Sequence, residues 1–113
     1  MTPQLREAVL TAQAHKALDL KVLGLRGVCS FTDFFLLCSG TSSRHSQAIS
    51  DAIREQLQKS RAIPGHVEGY AQGEWILMDY GEFVVHIFSR RAREFYGLER
   101  LWKTAAYFPA PEE

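Results

Sequence analysis

GEWILMDYGEFVVHIF, residues 73–88, is the stretch whose reading decides the fold. Two apolar runs, Trp75–Met78 and Phe83–Phe88, flank Asp79-Tyr80-Gly81-Glu82. β-Branched and aromatic residues on both sides of a glycine-containing turn predict a β-hairpin. Neighbouring side chains on a strand point to opposite faces. Trp75, Leu77 and Asp79 are therefore expected on one face of the first strand, with Ile76, Met78 and Tyr80 on the other. On the second strand Phe83, Val85 and Ile87 oppose Val84, His86 and Phe88. Neither face is polar, so both need cover.

Working outward, Phe34–Cys38 (FFLLC) is apolar without alternation, which predicts a strand buried on both faces at the sheet centre. Leu20–Arg26 reads as a strand before it, with Gly27–Thr32 as a loop between the two. Thr2-Pro3 supplies a capping hydroxyl and a proline at the first helical position, for a helix running to about Ala17. Ser39-Gly40 closes the FFLLC strand and Thr41-Ser42-Ser43 supplies candidate N-caps for a second helix, with His45, Ala48, Ile49, Ala52, Ile53 and Leu57 as its expected buried stripe. Val67–Tyr70 is a short strand leading into the hairpin. A third helix is expected from Ser89 through Phe95, Leu98, Leu101, Trp102 and Ala105, with Gly97 an unfavourable interior residue. The order α-β-β-α-β-β-β-α predicts a single α/β domain with a mixed sheet of about five strands. The domain is expected over residues 1–107, followed by a disordered tail at 108–113 where Pro109 and Pro111 end all order.

Size and charge narrow the function. The 113 residues suffice for one core, and 46% hydrophobic with 23% charged residues is ordinary for a globular domain. Thirteen basic residues balance thirteen acidic ones, against a dedicated nucleic-acid binder but not against a local basic patch. Cys29 and Cys38 make no C-x-x-C pair and read as reduced, buried thiols of a cytoplasmic protein. No apolar run approaches the ~20 residues of a membrane span.

A strand, then Ser39-Gly40, then a hydroxyl-rich helix start could bind an anion, a layout like that of nucleotidyltransferases. Those enzymes hold metal ions with two aspartates two residues apart. Here Asp79 is followed at that spacing by Gly81, and Asp51 lies on the second helix, so the fold is expected to be nucleotidyltransferase-like without the catalytic site. The four histidines, at 15, 45, 66 and 86, form no helical metal pair. No catalytic residue, metal or cofactor is therefore expected.

What remains is a surface. Trp75, Leu77 and Asp79 on one strand face, with Tyr80 at the turn and Glu68 and Glu82 nearby, combine aromatic anchors with an acidic rim. Such an open face suits protein binding; packing beneath a helix or in a homodimer are the alternatives.

Three segments carry a resemblance: TDFFLLCSGTSSRH at 32–45, EGYAQGEWILMDYGEFVVHIF at 68–88 and FYGLERLW at 95–102. Together they resemble the Iojap-like ribosomal silencing factor family across nearly the whole chain. Gly97 and Glu82 are small departures from its pattern. The resemblance implies an α/β fold related to nucleotidyltransferases without their activity. It further implies a translational repressor that binds the large ribosomal subunit through ribosomal protein L-fourteen. From there it blocks joining of the small subunit, chiefly under nutrient limitation. Carried onto this chain, the partner-binding residues are expected to be Trp75, Leu77, Asp79 and Tyr80, with Glu68, Glu82 and His86 as rim. Arg90, Arg91 and Arg93 are candidates for a minor rRNA contact or for a solvated helix end. The alternative readings are a divergent nucleotidyltransferase-like enzyme and a homodimeric structural protein.

Overall fold

Thr2 and Pro3 do what their residue types predict. Thr2 accepts a hydrogen bond from the Leu5 backbone N–H (3.2 Å), and helix α1 runs from Pro3 to Ala14. The computed structural model describes residues 2–27, 30–96 and 106–108. After α1 come β1 (Leu18–Gly24), β2 (Phe34–Gly40), α2 (Ser43–Lys59), β3 (His66–Glu68), β4 (Trp75–Asp79), β5 (Phe83–Ser89), α3 (Arg90–Tyr96) and β6 (Ala106–Phe108).

The strands form one mixed sheet in the order β3-β4-β5-β2-β1-β6. The hairpin of β4 and β5 pairs as expected, Trp75 opposite Phe88 and Asp79 opposite Val84. β2 is buried along its whole length and pairs in parallel with β5, Phe34 opposite Phe83 through Gly40 opposite Ser89. Among the described residues every other pairing is antiparallel. Burial on both sides explains why β2 lacks the alternation of an edge strand.

Each sheet face has its own core. Helices α1 and α2 lie together on one face, where Leu5, Val9, Ile49, Ile53 and Leu57 meet Leu36, Cys38, Ile76, Met78, Val85 and Ile87. On the other, Leu23, Phe35, Leu37, Val84 and Phe88 pack with Ala92 of α3, and Trp75 and Leu77 lie partly buried beside them. The alternation read from the hairpin sequence assigns these two sets correctly.

Several expectations shift. Helix α1 stops at Ala14 rather than Ala17, because Lys16 turns into the left-handed region (φ 62°). The buried stripe of α2 is Ser46, Ile49, Ser50, Ile53 and Leu57, whereas Ala48 is exposed and His45 half-buried. The expected mixed sheet of about five strands is present, and among the described residues the short Ala106–Phe108 segment adds a sixth at the β1 edge. Phe108, expected in a tail, is the last residue of that strand. The rest of that tail, the later course of the third helix with Gly97, Leu98, Leu101, Trp102 and Ala105, and Cys29 lie outside the described residues. Among the described residues no helix is long and apolar enough to cross a membrane.

Candidate docking face

Because β4 buries Ile76 and Met78 under α1 and α2, Trp75 and Leu77 point to the opposite side of the sheet. Trp75 is half-buried. Its ring packs on Phe88 (centroids 5.1 Å apart, 31° between planes), and its indole N–H donates to His86 Nδ1 at 3.0 Å. With Nδ1 accepting, the proton of a neutral imidazole resides on Nε2, which has no hydrogen-bond partner among the described residues. His86 is 3% exposed and meets Phe35 edge to face at 4.5 Å. Burial among these rings pushes its pKa down to about 3, so the side chain is uncharged at any physiological pH.

Glu68 pairs across β3 and β4 with Leu77, and the two join Trp75 and Gly69 around a shallow recess. The Glu68 carboxylate is exposed and lies 3.2 Å from His66 Nε2. Asp79, at the end of β4 on the same side, accepts the Gly81 backbone N–H at 2.8 Å and so fixes the hairpin turn. Trp75, Leu77, Asp79 and Glu68 thus form one surface, apolar at its centre and acidic at its rim.

Three residues expected on this surface are placed otherwise. Tyr80 has the strand parity of Ile76 and Met78, and its ring goes to the helix side, stacked on Phe83 at 5.0 Å. Its hydroxyl is buried with no partner among the described residues, and burial raises its pKa. Glu82 is exposed but borders a separate recess with Gln4, Arg61, Ile63 and Tyr80. His86 is floor rather than rim, for it lies under Trp75. Of the three arginines of α3, Arg90 and Arg91 are exposed, whereas Arg93 is buried on the sheet and donates to Ser39 Oγ at 3.2 Å. The reading also missed Phe31, 65% exposed beside Phe35; an aromatic residue in a loop between two strands was its one signal.

The turn that could have held an anion is filled by the protein's own groups. Ser39 is buried and occupied by Arg93. The Ser42 hydroxyl accepts the His45 backbone N–H at 3.0 Å. Thr41 N–H donates to His45 Nδ1 (2.9 Å), and the other ring nitrogen donates to His15 O (2.8 Å). Gly40 backs onto Ser46 and Gly73 onto Ser43, so close that a Cβ on either glycine would collide. Gln47 ties the β3–β4 loop down by donating to Tyr70 O at 2.8 Å. Asp51 accepts the Tyr70 hydroxyl on the helix side, across the sheet from Asp79. The two acids share no site.

Known proteins share both sequence and shape with this chain. Residues 1–113 match the family described as "Ribosomal silencing factor during starvation". A ribosomal silencing factor of Halalkalibacterium halodurans is 37% identical over 101 residues, 89% of this chain and 86% of that protein. A mouse protein named "Mitochondrial assembly of ribosomal large subunit protein 1" is 32% identical over 96 residues, covering 82% of this chain and 42% of its own length. A crystal structure of a Chromobacterium violaceum protein superposes with a TM-score of 0.85 at 27% identity, covering 91% of this chain and 88% of that one.

Proposed function

The chain belongs to the ribosomal silencing factor family, and from that premise we propose that it represses translation by docking on the large ribosomal subunit and blocking its union with the small one. The docking partner in this reading is ribosomal protein L-fourteen, the setting is the cytoplasm, and the demand arises chiefly under nutrient limitation. The observation that carries it is the face made by Trp75 and Leu77 with Glu68 and Asp79 at its edge. A partly exposed tryptophan seated on a floor of Phe88 and His86 is a strong anchor, and acidic groups around it favour a basic partner surface.

Steric repression needs no reaction. The molecule exposes 6565 Å², and a standard interface takes about 800 Å² from one partner, roughly an eighth of it. The remainder is body that projects where the small subunit would sit. The family name concerns silencing, and the mouse relative's name concerns the large subunit; both support this reading. Exposed Arg90 and Arg91 are the side chains of α3 available for a minor rRNA contact. When no subunit is present, the same apolar face could be covered by a second copy of the chain.

The test is co-sedimentation of the purified protein with isolated large and small subunits, followed by a subunit-joining assay. Pelleting with the large subunit alone, together with lowered joining, is the expected result. Trp75→Ala should abolish both. Equal pelleting with either subunit, or full joining at saturating protein, would refute the proposal.

A further inference from the structure

Trp75 and Leu77 alone make a small docking face. Trp75 and Leu77 are both half-buried, and a stable interface needs about 800 Å² from each partner, a patch roughly 30 Å across. Among the described residues the exposed large hydrophobic side chains are Phe31, Ile63 and, least so, Tyr70. Tyr70 is tied to Asp51 of α2, and Ile63 flanks the helix-side recess beside Tyr80. Phe31 is the one that meets the layer containing Trp75.

Its setting is continuous with that layer. Trp75 and His86 have ring centroids 5.9 Å apart, His86 and Phe35 4.5 Å, and Phe35 and Phe31 6.3 Å. The four rings make a row that crosses β4, β5 and β2 and ends on the exposed phenyl group. The backbone beside Phe31 is pinned. Thr32 Oγ1 donates to Gly81 O at 2.9 Å, Asp33 N–H donates to Glu82 O at 3.0 Å, and Leu25 N–H donates to Asp33 O at 2.8 Å. Phe31 therefore stands out from an anchored segment, and it stays 65% exposed although an apolar layer lies next to it.

We propose that Phe31 is a second anchor of the docking face, covered by the same large-subunit protein surface that covers Trp75. This inference rests on the docking reading above. Two aromatic anchors at opposite ends of one row would fix the orientation of the bound protein as well as its affinity. The partner is then a protein surface with two apolar hollows separated by no more than the length of the row, ringed by basic groups that meet Glu68 and Asp79.

The experiment titrates large subunits with wild type, Phe31→Ser, Phe31→Leu and Trp75→Ala, and measures sedimentation of each free protein. Phe31 is exposed, so neither substitution at that position should disturb folding, which circular dichroism checks. Phe31→Ser should bind at least tenfold more weakly, and Phe31→Leu, which keeps most of the apolar area, within about threefold of wild type. Wild-type affinity in Phe31→Ser while Trp75→Ala fails to bind would overturn the inference and leave the docking reading standing. So would a Phe31→Ser that loses only self-association, since the occupant would then be a second copy of the chain. Failure of the wild type itself to bind large subunits would overturn both readings.

Discussion

Replacing His86 by leucine should make the stability curves of variant and parent cross as pH falls. In the folded protein His86 is buried and holds a pKa of about 3, against 6.5 for a free histidine. Between those values the unfolded chain carries a proton that the native chain refuses. Stability therefore falls with decreasing pH, by about 1.4 kcal/mol per pH unit once well below 6.5. From pH 7.5 to 4.5 the loss attributable to this one group is ~2.7 kcal/mol. His86→Leu lacks the titrating group and escapes that loss. At pH 7.5 it gives up the hydrogen bond from Trp75, about 1 kcal/mol. The variant should thus be the less stable protein at pH 7.5 and the more stable at 4.5, the two crossing near pH ~6. Urea unfolding at intermediate pH values measures this directly. A stability gap that stays constant across the range would show that His86 titrates normally in the fold and would refute the burial argument.

Ser46→Ala should be neutral or stabilising by up to ~1 kcal/mol in urea unfolding, because its fully buried hydroxyl has no partner among the described residues. Gly40→Ala should lower stability by roughly 2 kcal/mol or more, since its Cβ would run into Ser46; an unchanged midpoint would mean α2 can move away from the turn. Glu68→Lys should weaken large-subunit binding about tenfold and flatten its salt dependence, and unaltered affinity would remove the acidic rim from the docking argument. Cys38 is buried with its thiol pushed up to about 12, so in a Cys29→Ser background thiol reagents should modify it only as fast as the protein unfolds. Rapid labelling of the native protein would contradict that placement.

The sequence made the sheet centre readable because two different patterns met there. Alternation in β4 sorted Trp75 and Leu77 from Ile76 and Met78, and the unbroken apolar run of β2 announced burial on both sides. Helix α2 was misread in part because hydrophobicity is a poor guide where elements approach closely. Ser46 lies against Gly40, and Ser50 donates to Met78 Sδ at 3.3 Å, so small polar residues occupy positions that a hydrophobic stripe would assign to alanine or histidine. β6 left no trace in the pattern, since three residues held by backbone pairing to an edge need no periodicity. At the site, residue type misled where parity did not. His86 looked like a rim residue because histidine is polar, and only the rings around it reveal a floor. The position of Tyr80 beside Gly81 suggests a turn residue, whereas strand alternation places it with Ile76 and Met78, where its ring lies.

The parallel pairing of β2 with β5 also sets a clock on the protein's own synthesis. β1 can join β2 as soon as both have emerged, but β5, the other neighbour of β2, follows roughly fifty residues later in the chain. At 5–20 residues per second, Phe34-Phe35-Leu36-Leu37 waits on the order of 3–10 s with one edge unpaired and both faces incompletely covered. Nascent chains stalled before residue 83 should therefore be sticky and protease-sensitive, and those in which residue 89 has cleared the exit tunnel should be compact.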